Sequence, residues 1–114
     1  MSVHFTTSSP GALLALFEAR VDDASGDGRS IAWIRDGNAY THRSPEWNGK
    51  AFLRASVEVG ELTFTIHRPE STHHSLPTFA YYHAALVETF LLWFKDEFET
   101  AVVNGTIEPP DYAG

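Results

Sequence analysis

The chain has no cysteine, which excludes disulfide frameworks, thiolate nucleophiles and cysteine-based zinc sites from its chemistry. Basic residues are few: eight Lys and Arg stand against fifteen Asp and Glu, for a formal charge of -7. A nucleic-acid reader concentrates Lys and Arg to displace counterions from phosphates, so DNA or RNA is not an expected partner. Long apolar runs are missing too. ALLALF, at residues 12–17, is too short to span a bilayer, is soon followed by charges and has no basic stretch before it. The expectation is a cytoplasmic protein with no membrane partner. Asn104-Gly105-Thr106 matches a glycosylation acceptor, but in that setting the glycine reads better as the end of a helix.

Several catalytic signatures are absent as well. There is no P-loop, no dinucleotide-binding glycine pattern, no G-x-S-x-G elbow and no H-E-x-x-H pair. Six histidines allow many Ser-His-acid combinations to be drawn on paper, and the sequence favours none of them. No catalytic residue and no cofactor are assigned on this basis.

What is present is a foldable composition, 43% hydrophobic, 13% aromatic and 20% charged, far from the polar, highly charged mixtures that stay disordered. One domain over residues 1–105 is expected, followed by TIEPPDYAG as an extended tail over 106–114.

Ser9-Pro10 signals a helix start, with the serine hydroxyl available to cap and the proline tolerated at the first position. Leu13, Leu14, Leu16, Phe17 and Val21 follow at helical spacing, giving a helix over about 10–21. Two hairpins come next. SIAWIR and NAYTHR flank Asp36-Gly37, and AFLRASVEV and LTFTIHR flank Gly60-Glu61. A Gly60-Glu61 turn sets Val59 opposite Leu62, Val57 opposite Phe64, Ala55 opposite Ile66 and Arg54 opposite His67. One face of that hairpin is apolar and the other polar, so the sheet should be covered on one side only.

The last element is expected to be one helix from Thr78 as N-cap to Gly105, about 26 residues and ~39 Å long. Phe79, Tyr82, His83, Leu86, Phe90, Phe94 and Phe98 form its inner stripe, while Tyr81, Leu91, Leu92 and Trp93 widen the apolar surface beyond what one sheet covers. The resulting fold class is α+β: an α-β-β-β-β-α order with a four-stranded antiparallel sheet and both helices on one face. A second copy is expected to cover the surplus, making a homodimer with Trp93, Leu92, Tyr81 and Trp47 as interface residues. Trp47 sits in the polar loop HRSPEWNGK, where a tryptophan is either an exposed anchor or folds back on the core.

Two stretches carry metal-ligating atoms. In RPESTHHSLPTFAYYH, His73, His74 and His83 have the right donors for zinc. However, adjacent histidines rarely reach one ion and no second histidine follows at helical spacing, so a polar loop before a helix is the preferred reading. In DASGDG, Asp23, Ser25 and Asp27 resemble the opening of a calcium loop, but the twelfth position is Ile34 where a bidentate Glu belongs, and a plain turn is preferred.

Taken together, an acidic protein with surplus apolar helix and no assembled catalytic motif is expected to act by binding a protein partner, as an inhibitor, immunity-type protein or adaptor, and not by catalysis. The rival expectation is a small-ligand-binding or metal-dependent protein, an enzyme included, with a pocket between sheet and long helix. Its candidate residues are His83, Tyr81 and Tyr82 at the mouth and Arg54 and His67 on the polar sheet face, where an Arg beside a His favours a neutral imidazole able to act as a base. Mimicry of nucleic acid by acidic rows is disfavoured, because the acids are scattered among basic residues.

Overall fold

The structure is a computed structural model, and it describes residues 1–23, 31–68 and 76–105. Strand β1 (Ser2–Thr6) is followed by helix α1 (Pro10–Asp22), strands β2 (Trp33–Asp36), β3 (Ala39–His42), β4 (Phe52–Glu58) and β5 (Glu61–His67), helix α2 (Leu76–Trp93), a 3-10 turn at Lys95–Glu97 and strand β6 (Thr100–Asn104). The strands form one antiparallel sheet in the order β2-β3-β4-β5-β1-β6. The α+β class is as expected, but the sheet has six strands where four were expected.

Both additional strands come from the ends of the described domain. In β1, Val3 and Phe5 point into the core while Ser2, His4 and Thr6 point away, the alternation of a sheet covered on one face. Strand β6 replaces the last third of the expected long helix. The α-helical ladder runs on to Phe94, whose N–H donates to Phe90 O at 2.9 Å, then tightens as Glu97 N–H donates to Phe94 O at 2.9 Å. Phe98 is already extended, with φ -143° and ψ 160°. From there the β-branched residues of TAVVN pair with β1, giving its second backbone edge hydrogen-bond partners that a continued helix could not supply. Phe98 still reaches the core, 5.2 Å from Phe5 and 6.2 Å from Phe90 between ring centroids, but from outside the helix.

Turn positions also differ from expectation. Val57 pairs with Leu62, Ala55 with Phe64, Leu53 with Ile66 and Arg54 with Thr65, so the turn is Val59-Gly60 and the register is two residues from the expected one. A two-residue slip keeps every side chain on its expected face, which is why the apolar row survives. Gly60, at φ +75°, supplies the positive φ of the turn. In the first hairpin Asp36 pairs with Ala39, which makes Gly37-Asn38 the turn, with Gly37 at φ +62°. Ser9 precedes Pro10 at the helix start as expected, yet its hydroxyl makes no capping bond; Ser9 N–H instead donates to Thr7 Oγ1 at 3.2 Å. Thr78 is likewise not a cap, since α2 begins at Leu76.

Both helices lie on the face that carries Val3, Phe5, Leu53, Leu62, Phe64 and Ile66, and all six are fully buried. Phe5 and Phe90 stack at 4.0 Å, Phe17 and Phe90 at 5.5 Å, and Phe64 meets Phe17 edge-on at 5.2 Å. These four rings join α1, α2 and the sheet into one core, each burying a large apolar surface and adding edge or stacking contacts. Among the described residues no helix is long and apolar enough to cross a membrane.

Candidate functional site

Helix α2 is apolar over more than one face. Its inner stripe of Phe79, Tyr82, Leu86 and Phe90 meets the sheet. A second stripe of Ala80, Ala84, Val87, Glu88, Leu91 and Leu92, again at helical spacing, turns away from it. Together with His83 and with Val103 from β6, this second stripe lines an open groove of about 680 Å³. Leu91 is 54% exposed, Leu92 72% and Val103 52%. Among the described residues Glu88 is the one acid in the lining. The groove floor is set by the turn after Trp93, because bringing the chain back as a strand places Val103 beside α2. The same step makes β6 the edge of the sheet, bonded to β1 on one side.

Of the four expected interface residues, Leu92 is the most exposed. Trp93 is half-buried, with the Arg20 guanidinium 4.4 Å above its ring, and it lines a separate cleft of about 320 Å³ with Leu16, Ala19 and Phe94. Trp47 and Tyr81 stack on each other at 4.1 Å with ring planes 10° apart, both half-buried against the core.

The expected pocket residues are dispersed. Tyr82 is fully buried, and its hydroxyl donates to Trp47 O at 2.5 Å and lies 3.1 Å from Thr41 Oγ1. It ties the β3–β4 loop to α2. His83 is buried in the inner stripe, and its Nδ1 donates to the Phe79 carbonyl at 2.6 Å, one helical turn back. Arg54 and His67 share the outer sheet face but are not opposite each other, since Arg54 pairs with Thr65 and His67 with Phe52. The space expected to form a pocket between sheet and α2 is filled by the phenylalanine rings.

His73 and His74 lie outside the described residues, as do Ser25 and Asp27. Asp23 is exposed and lines the Trp93 cleft. Among the described residues no three His, Asp or Glu side chains converge on a point where an ion would sit.

Three polar clusters were not read from the sequence. Arg35 binds Asp22 through two nitrogens, at 3.0 and 2.9 Å, and reaches Glu18 at 3.4 Å, clasping β2 to α1. The guanidinium lowers the Asp22 pKa, while burial, helped by a 2.6 Å bond to Glu18, pushes the Tyr40 phenol up. His42 is buried beside Trp33 and Tyr81, and this burial lowers its pKa. On the outer face, His4 bridges Ser2 and Glu61. Each cluster joins residues of different elements or different strand positions, a juxtaposition that periodicity within one element does not reveal.

Comparison with protein-family models, with curated proteins and with solved structures gave no match.

Proposed function

We propose that this protein acts by protein–protein interaction, that the α2/β6 groove is its docking surface, and that the occupant the surface fits is a second copy of the chain. The observation that carries the reading is the coincidence of three exposed aliphatic side chains, Leu91, Leu92 and Val103, with an open apolar groove and the edge of a sheet. Contiguous apolar surface of this kind is uncommon on a protein that works alone. An edge strand beside it offers backbone donors and acceptors to an incoming strand.

A two-fold axis at β6 suits this surface. Antiparallel pairing of two β6 strands extends the sheet while keeping the helices of both copies on the same side, so the two grooves meet. Leu91 and Leu92 of each copy then stand as ridges against the groove of the other, the self-complementarity that an isologous contact requires. Charge supports the choice: each copy carries -7 overall, but among the described residues the groove lining holds one acid, Glu88, so the copies can meet there with little like charge between them. Val102, 55% exposed on the opposite face of β6, would be partly covered by the same strand pairing.

Sedimentation equilibrium of the wild type and of Leu92→Glu tests the reading. A dimer that the substitution converts to a folded monomer supports it; a dimer unaffected by the charge places the interface elsewhere.

A further inference from the structure

The outer face of the sheet holds an arrangement that groove and core do not use. His4 Nδ1 lies 3.1 Å from Glu61 Oε1, and His4 Nε2 lies 2.9 Å from Ser2 Oγ. An ionised carboxylate only accepts hydrogen bonds, so the ring proton of a neutral His4 belongs on Nδ1. Thr63 agrees with this assignment: its hydroxyl donates to Glu61 Oε1 at 3.2 Å, leaving its oxygen, 3.1 Å from Nδ1, to share the same proton. Nε2 is then an acceptor and the Ser2 hydroxyl is its donor. The order is hydroxyl, imidazole, carboxylate, with the carboxylate fixing the tautomer that lets the imidazole take the hydroxyl proton.

The strands hold this order in place. Ser2 and His4 are two residues apart on β1 and so share a face, and His4 is directly opposite Thr63 on β5. His4 is 29% exposed and Glu61 33%, so the ring is fixed by its neighbours yet still reachable. On the other flank Asn104 of β6 is directly opposite Ser2, so the two residues share this face of the sheet.

We propose that Ser2, His4 and Glu61 form a nucleophilic triad that accepts acyl groups from small activated esters. Ser2 Oγ bonds to the ester carbonyl carbon as its proton passes to His4 Nε2, and the carbonyl electron pair moves onto oxygen. Collapse restores the carbonyl and breaks the bond to the leaving alkoxide or phenoxide, which takes the proton from Nε2. Water then attacks the acylated Ser2, giving its proton to the same nitrogen; the acid departs and Ser2 recovers its hydrogen. Glu61 is a positioning residue. The sheet face is open, which suits small esters with good leaving groups. The site uses none of the groove-lining residues and faces the opposite side of the sheet, so a dimer through β6 leaves it accessible.

The test treats the full chain with a fluorophosphonate, which transfers phosphorus to an activated serine with loss of fluoride, and locates the adduct by peptide mass mapping. One adduct on Ser2 is expected, absent in Ser2→Ala and slowed about a hundredfold in His4→Ala, the low end of what a positioned base supplies. Hydrolysis of p-nitrophenyl acetate gives a second readout: Ser2→Ala should abolish turnover above background with an unchanged melting temperature. Glu61→Gln should move the pH–rate profile, which a purely structural Glu61 would leave in place. No adduct, an adduct on another residue, or equal p-nitrophenyl acetate turnover in wild type and Ser2→Ala overturns the proposal and leaves the cluster as cross-strand hydrogen bonding.

Discussion

The Tyr82 hydroxyl donates to the main-chain carbonyl of Trp47 at 2.5 Å, so a residue in the middle of α2 holds the loop between β3 and β4. The same oxygen is 3.4 Å from the His42 amide, from which it accepts, and 3.1 Å from Thr41 Oγ1, which itself donates to Ala51 O. Removing the hydroxyl takes an acceptor from the buried His42 N–H and one of two donors from the Trp47 carbonyl, which keeps its 3.1 Å bond from Lys50 N–H. Tyr82→Phe is expected to destabilise the fold by about 1–3 kcal/mol in urea unfolding. A change within error would mean that water replaces the hydroxyl at no cost.

Phe90 is the ring on which the core converges, stacked on Phe5 and Phe17 and edge-on to Phe64 and Phe94. Phe90→Ala removes contacts to both helices and the sheet at once, and about 3–5 kcal/mol should be lost. An unchanged thermal midpoint would contradict the placement of this residue.

His42 gives the fold a pH dependence whose sign follows from its burial. Its Nδ1 accepts from Ser44 N–H at 3.1 Å, so the proton of the neutral ring is on Nε2, which faces Tyr81 Oη at 3.4 Å. Burial lowers its pKa from 6.5, so between the folded-state and unfolded-state values the unfolded chain binds more protons. The contribution of His42 is therefore fully present above pH 6.5 and is lost as pH falls toward the lowered folded-state value. In urea titrations at stepped pH, wild type should lose stability below pH 6.5 relative to His42→Gln. A difference between the two proteins that stays constant with pH would remove His42 as the cause.

How far the fold could be read from sequence depended on whether local periodicity and tertiary pairing pointed the same way. In β4 and β5 they did, because alternation fixes the face even when the turn is displaced by two residues. In residues 94–104 they did not. Phe94 and Phe98 continue the helical stripe of α2, no proline interrupts it, and only the unpaired edge of β1 draws Thr100–Asn104 into a strand. The groove was legible in part, since Leu91 and Leu92 stood out as surplus apolar surface, whereas Val103 joins them only through that strand. Tyr82 was the opposite case: its phenol suggested a pocket mouth, and its partners Thr41, His42 and Trp47 come from an element far away in sequence. Ser2, His4 and Glu61 meet through pairing of β1 with β5, which the sequence did not disclose because β1 itself was not recognised.

The groove should respond to charge at either wall. Val103→Lys, on β6, and Leu91→Glu, on α2, each place a charge beside exposed apolar surface and should raise the dimer dissociation constant while leaving far-UV circular dichroism unchanged. If one weakens association and the other does not, the interface involves only the helix or only the strand.

Native mass spectrometry of the tag-free wild-type chain, over a dilution series at near-neutral pH, is the decisive test of pairing through the α2/β6 groove. A species of twice the chain mass that gives way to monomer on dilution is expected, together with the loss of that species in Leu92→Glu. A monomer throughout the series would contradict it and leave the α2/β6 groove without the occupant proposed.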